Sequence, residues 1–234
     1  MKHIYLIGGS KGGVGKSFVA MAAIDYLRLR AHNERVVLVE CDTSNPDVYK
    51  TYKDMVHTHL INMDEADGWV ELVNVCNETD AENIVINTAA RNNISTQTYG
   101  TILSESLSEL NSKLITIWVI NRQRDSLELL KDYMEAIPNT TEIHVVRNGY
   151  FGAEAKFELY NSSRLRQTIE ARGGKSLTFP ELADRVADDI YTKRIAIEKA
   201  LQELPLGNRA ELMRWRREAH RALGEIIYVS EKCV

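Results

Sequence analysis

Lys11-Gly12-Gly13-Val14-Gly15-Lys16-Ser17 gathers lysines, glycines and a hydroxyl into one short loop. The apolar run Ile4-Tyr5-Leu6-Ile7 precedes it, and a helical pattern follows. Glycines let successive backbone N–H groups turn inward with no Cβ in the way, and a helix N-terminus adds positive potential. A strand, a glycine loop and a helix in that order make a phosphate cradle. Lys16 is placed to reach the β- and γ-phosphates, and the Ser17 hydroxyl suits Mg²⁺. The chemistry implied is binding of a nucleoside triphosphate by Gly12, Gly13, Val14, Gly15, Lys16, Ser17 and Phe18. Lys16 accounts for the phosphate contact within the chain, so Lys11 needs another role or is a solvated loop lysine.

The elements that must position this loop read as alternating strands and helices. Residues 3–9 form a first strand and 16–31 a helix, with Val19, Ala20, Ala23, Ile24 and Leu27 at helical spacing. Val36-Val37-Leu38-Val39, Ile84-Val85-Ile86, Ile115–Ile120 and Ile143–Val146 are short, continuous apolar runs. Such runs suit strands buried on both faces of a parallel sheet. Helical patterns lie near 98–111 and 125–137, and residues 57–62 and 69–76 read as a strand and a short helix. The expected fold is α/β: a doubly wound, mostly parallel sheet with helices on both faces. Beyond about residue 150 the pattern is mostly helical and charged, and we expect it to pack on the same core within one domain spanning 1–234.

Ligands of open parallel sheets sit beyond the carboxyl ends of the strands. Glu40-Cys41-Asp42 follows one run, and alternation would send both carboxylates to the same strand face. One of them can hold a Mg²⁺-bound water or position the attacking water; the segment Asp42-Thr43-Ser44-Asn45-Pro46 is also good turn chemistry. Asn87-Thr88-Ala89-Ala90 follows the 84–86 run. An amide oxygen there can accept from a metal-bound water but supplies no charge for a hard cation. Arg147-Asn148-Gly149 and Asn121-Arg122 end two further runs, and either asparagine can read a base edge or simply make a turn. Arg122 and Arg124 also suit a dimer surface.

The chain has 234 residues, a net charge of −4 and a hydrophobic fraction of 44%. That balance argues against global attraction to nucleic acid. Cys41, Cys76 and Cys233 show no paired spacing, so reduced thiols are expected rather than a disulfide framework or zinc site. The histidines show no metal spacing. No apolar run approaches a membrane span, the first residues enter a strand, and the expected compartment is the cytoplasm. Near the end, Leu212, Trp215, Ala219, Ala222, Leu223 and Ile226 share a helix face. That face suits docking on the sheet. The arginines beside it, Arg214, Arg216, Arg217 and Arg221, also permit a nonspecific DNA patch or a membrane-surface helix, though glutamates interrupt them. Asn161-Ser162-Ser163-Arg164-Leu165-Arg166 is similarly ambiguous.

Residues 11–17 match KGGxGK[ST] at every fixed position, and here the chain resembles the deviant Walker A ATPases, which include the ParA and MinD proteins. The resemblance implies ATP and Mg²⁺ as ligands. It also implies that Lys11 reaches across a nucleotide-sandwich homodimer to the partner's ATP. It assigns Asp42 to the hydrolytic water, with Glu40 as a supporting charge, and Asn148 to the adenine edge. Asn87 departs from the family's aspartate, which implies weak hydrolysis and a long-lived ATP-bound form. Metal contacts through water then fall to Asp42 and Asn87. In the segments 2–9, 121–126 and 146–152 the chain looks most like the small plasmid-encoded StbB/TraL type. That implies a switch in plasmid partition, stability or conjugative transfer, with a plasmid-encoded DNA-binding adaptor and contact with the nucleoid. A MinD-like membrane-positioned ATPase and a nearly inert ATP-bound adaptor remain alternatives.

Overall fold

The computed structural model describes residues 1–9, 12–30, 36–90 and 92–228, except for the side chain of Asn93. The predicted apolar runs all become strands of one parallel sheet. In chain order these are β1 (Lys2–Gly9), β2 (Val36–Glu40), β3 (His57–Leu60), β4 (Asn83–Asn87), β5 (Ser112–Ile120), β6 (Glu142–Asn148) and β7 (Ser176–Phe179). Their order across the sheet is β3-β2-β4-β1-β5-β6-β7. The central strand β1 pairs with β4 on one side and β5 on the other.

Strand alternation sorts the core into two layers. Tyr5, Ile7, Leu38, Val85, Ile115 and Ile117 face one layer, and Ile4, Leu6, Val37, Val39, Ile84 and Ile86 face the other. The first layer is covered by α1 (Lys16–Arg30), α8 (Asp184–Lys193), α9 (Ile197–Glu203) and α10 (Leu206–Leu223). The second is covered by α3 (Ala66–Glu78), α4 (Asn92–Ser106), α5 (Arg124–Ala136), α6 (Glu158–Asn161) and α7 (Arg164–Ala171). A short α2 (Asp47–Tyr52) follows β2 and places Val48 and Tyr52 in the first layer. The five inner strands β1, β2, β4, β5 and β6 are thus buried on both faces, which is why the sequence shows continuous apolar runs there rather than alternation.

The last third, expected to be mostly helical, also contributes a strand. Ser176-Leu177-Thr178-Phe179 is a seventh strand, paired with β6 from Val145↔Ser176 to Asn148↔Phe179. It is an edge strand of four residues, too short for a period to stand out against its charged flanks. Helix α4 begins at Asn92, earlier than expected. Its Ser and Thr hydroxyls return to the carbonyl of their own helix, as Thr96 to Asn92 (2.7 Å) and Ser106 to Ile102 (2.7 Å), which hides polar residues from the apolar period. The basic serine segment is a helix start: Ser163 accepts the backbone N–H of Arg166 and caps α7.

Helix α10 docks its apolar face, with Leu212, Trp215, Ala219 and Leu223 buried. One polar tie fixes it on α1. Asp25 accepts from Arg216 through both nitrogens of a fork (2.7 and 2.9 Å) and sits 2.7 Å from His220 Nε2. Asp25 is 3% exposed. Removing one member of such a buried pair costs about 3–5 kcal/mol, because a charge is left uncompensated. Arg214 is committed to Glu211 and Glu218. Among the described residues, Arg217 and Arg221 alone of the four arginines face solvent without an ion pair, a poor nucleic-acid patch.

Candidate nucleotide site

The carboxyl ends of β1, β2, β4, β6 and β7 open into a cleft of about 520 Å³. Gly12, Gly13, Gly15, Lys16, Ser17 and Phe18 line it, together with Asp42, Asn87 and Asn148. The structure therefore brings the residues singled out from sequence to one place. Val14 supports the loop from below, buried against the core. Lys11 lies outside the described residues, as does Cys233.

The loop has the backbone such a cradle needs. Gly13 and Gly15 have φ of 79° and 100°, a region that L side chains rarely adopt. A Cβ at Gly15 would also collide with the amide nitrogen of Asn148, so the loop and Asn148 are in direct contact. Lys16 opens α1 with its side chain 8% exposed. Burial pulls its ammonium down to about 8, against the Asp42 and Glu40 carboxylates, which hold it up. Phosphate oxygens in the cleft would add negative charge beside this buried cation and hold it protonated.

The two acids after β2 are not equivalent. The strand ends at Glu40, so alternation stops there and Asp42 belongs to the following turn. Asp42 Oδ1 accepts from Ser44 Oγ (2.6 Å) and Asn45 N (3.2 Å), so it makes the turn and also lines the cleft. Glu40 is fully buried beside its register partner Asn87. The Asn87 amide nitrogen donates to both carboxylate oxygens, at 3.0 and 3.2 Å, and Asp42 N donates to one of them. Burial pushes the Glu40 carboxyl up to about 7, against these donors, which hold it down. The Asn87 carbonyl oxygen is buried with no hydrogen-bond partner among the described residues.

Asn148 reaches the loop from β6. Its nitrogen donates to Val14 O (2.8 Å), and its oxygen accepts from Tyr150 N (3.1 Å). One donor and one lone pair remain for a ligand. The rival Asn121 is spent on the turn into α5, accepting from Gln123 N (2.9 Å) and Ser126 Oγ (2.8 Å). Arg122 and Arg124 are exposed, and Arg124 pairs with Glu128 along its own helix.

Several lining groups have no signal in the sequence. Tyr191 of α8 hydrogen-bonds Ser17 and stacks edge-on against Phe18 at 4.8 Å. Phe179 and Pro180 enter because the overlooked strand β7 ends there, and Tyr150 follows Asn148. Only the three-dimensional return of the last third places them.

These residues fit a Mg²⁺-nucleotide. The open glycine loop and buried lysine suit phosphates, and the orphaned Asn87 oxygen lacks a donor that metal-bound water can supply. Among the described residues no cluster of three or more His, Cys, Asp or Glu is arranged to hold a metal ion. No helix among the described residues is long and apolar enough to cross a membrane.

Comparison with known proteins agrees with this geometry. Residues 5–147 match the CobQ/CobB/MinD/ParA nucleotide binding domain. Protein MobD of Acidithiobacillus ferrooxidans is 63% identical over 227 residues, covering 97% of this chain and 99% of that protein. Among solved structures, the septum site-determining protein MinD of Pyrococcus horikoshii, complexed with Mg-ADP, superposes with a TM-score of 0.55 at 13% identity, covering 98% of this chain and 100% of that one. A plasmid partition protein of Borrelia burgdorferi bound to AMPPNP gives 0.53 at 13% identity, covering 97% and 99%. Matched through its phosphate loop and the first six strands, and by a near full-length relative, the chain belongs to the CobQ/CobB/MinD/ParA family of nucleotide-binding domains.

Proposed function

We propose that the protein is an ATP-dependent switch that dimerises around Mg·ATP, hydrolyses it slowly, and serves plasmid partition, stability or conjugative transfer. The observation that carries this reading is the cleft itself, where a buried lysine and an open glycine loop converge with Asp42, Asn87 and Asn148. Lys16 and the loop N–H groups bind the β- and γ-phosphates, and Ser17 exchanges its Tyr191 partner for the metal. Bound Mg²⁺ supplies charge neutralisation of the phosphates. Asp42 orients the attacking water, and Asn148 turns its spare donor and lone pair to the adenine edge. Lys11 reaches the phosphates of the second subunit. A nucleotide drives such a switch only through its different affinity for monomer and dimer.

A neutral Asn87 where a carboxylate would attract the cation favours slow turnover and a persistent ATP-bound state. Such a state suits recruitment of a plasmid-encoded DNA-binding adaptor better than rapid cycling. The partition protein bound to AMPPNP and the plasmid-type segments of the sequence support that setting, with the protein in the cytoplasm near the nucleoid. Direct nonspecific DNA contact is the weaker route, since Arg214 and Arg216 are tied within the chain.

Gel filtration and nucleotide titration test the switch together. Lys16→Ala weakens ATP binding by about 100-fold or more, as expected for a buried lysine on phosphate. Lys11→Ala keeps most of the binding and loses ATP-dependent dimerisation. A Lys11→Ala protein that still dimerises with ATP refutes the trans role.

A further inference from the structure

The pairing of Glu40 with Asn87 goes beyond a supporting charge. The two residues are register partners on adjacent parallel strands, β2 and β4, just where the sheet opens to the cleft. Asn87 is 3% exposed and Glu40 is fully buried. A carboxylate offers acceptors only, whereas an amide has a donor end and an acceptor end. With its nitrogen 3.0 and 3.2 Å from the two Glu40 oxygens, the Asn87 amide is held in one orientation. Its oxygen is then turned away from Glu40, and that oxygen is buried without a partner. Backbone contacts fix both residues: Cys41 N donates to Asn87 O (2.9 Å), and Asp42 N donates to Glu40 Oε1 (3.0 Å).

Resting on the reading of this cleft as a Mg²⁺-nucleotide site, we propose that Glu40 is the positioning residue for Asn87. It clamps the amide nitrogen so that the carbonyl oxygen serves the cleft as an acceptor for metal-bound water. The negative charge of the metal pole is thereby held one strand away from the group that faces the water. Glu40 itself makes no contact with the ligand. Replacing it by Gln removes the acceptor-only partner, and the Asn87 amide can then turn over and present N–H groups where an acceptor is required.

The test is ATP binding by calorimetry in excess Mg²⁺ and in EDTA, with thermal melting of each nucleotide-free protein. Glu40→Gln is expected to lose about 10- to 100-fold of the Mg²⁺-dependent part of the affinity, the usual effect of removing an orienting partner, and to keep its EDTA affinity. Exchanging the pair, Glu40→Gln with Asn87→Asp, restores one charge and the amide–carboxylate contact and is expected to recover most of the Mg²⁺ response. A folded Glu40→Gln protein with the wild-type Mg²⁺ response overturns the proposal. So does an exchanged pair no better than Glu40→Gln alone. If Glu40→Gln melts below the assay temperature, Glu40→Asp is read instead. It keeps the charge but draws back from Asn87, and an unchanged Mg²⁺ response there is equally fatal. Failure of the wild-type protein to bind ATP in either condition overturns the nucleotide reading itself, a result distinct from the others.

Discussion

Each end of the sheet holds a glutamate, fully buried at one end and half-buried at the other, and the two are treated in opposite ways. At the carboxyl end Glu40 has only neutral donors, the Asn87 amide and the backbone N–H groups of Asp42 and Tyr49, and burial carries it up to about 7. At the amino end Glu142 starts β6 and meets Lys113, Tyr228 and His144. Burial pushes it up as well, but the Lys113 ammonium and the Tyr228 hydroxyl, with His144, outweigh that and hold it below the ordinary range. The network there is closed. Lys175 N donates to His144 Nδ1 (3.0 Å), so the neutral ring carries its proton on Nε2, facing Glu142 at 2.7 Å. The Tyr228 backbone exchanges hydrogen bonds with the Tyr5 hydroxyl (2.9 and 3.1 Å). Saturation at one end makes a clasp. At the other end burial pulls Lys16 down to about 8 and pushes Glu40 up, and the Asn87 amide oxygen has no hydrogen-bond partner among the described residues.

The sharpest way to break this contrast is Asn87→Asp, which sets a second carboxylate against Glu40. We expect a loss of about 2–4 kcal/mol in urea unfolding in EDTA, from like charges forced together under burial, largely restored by Mg²⁺ and nucleotide. An unchanged unfolding midpoint in EDTA would mean the Glu40 end is not short of positive charge.

Acid–base behaviour separates the two glutamates by sign. Glu40 has its folded pKa raised, so its contribution is present below about 4.5 and is lost as pH rises toward 7. The loss is at most about 3 kcal/mol, and Glu40→Gln should flatten stability in that window. Glu142 has its folded pKa lowered, so its contribution is present above the ordinary carboxylate range and lost as pH falls through the folded value. Glu142→Gln should flatten the acid limb instead. Equilibrium unfolding of the three proteins across pH decides it, and matching slopes for the two variants would erase the distinction. The smallest effect is expected from Lys113→Met, about 1 kcal/mol and weaker in salt, because this ion pair is partly solvated on the lysine side. A loss independent of salt would show that packing of Lys113 over the Tyr228 ring (4.5 Å) outweighs its charge.

The central strands and the phosphate loop were legible because their signals are local. A fully buried parallel strand must be apolar at every position, as Val36–Val39 are, and a phosphate loop must carry glycine where φ is positive, as at Gly13 and Gly15. The docking of α10 was legible as one option among three, and burial of Leu212 and Trp215 selects it. What stayed hidden depends on distant partners. Glu40 and Asn87 lie 47 residues apart, and nothing near either one announces the pairing. Strand β7 draws its stability from β6 rather than from its own four residues. Tyr191 enters the cleft because α8 follows that strand back over Phe18.

The salt-bridged Asp25 has a consequence for chimaeras between relatives. The family match ends at residue 147, yet Asp25 of α1, the helix that grows directly from the phosphate loop, is paired with Arg216 and hydrogen-bonded to His220 from the last helix. A shortened protein would strand a naked anion in hydrocarbon and wet Val19 and Ile24. A tail borrowed from another member must bring a matching residue at position 25 with it. The helix that grows from the glycine loop is therefore seated by residues that no loop motif contains.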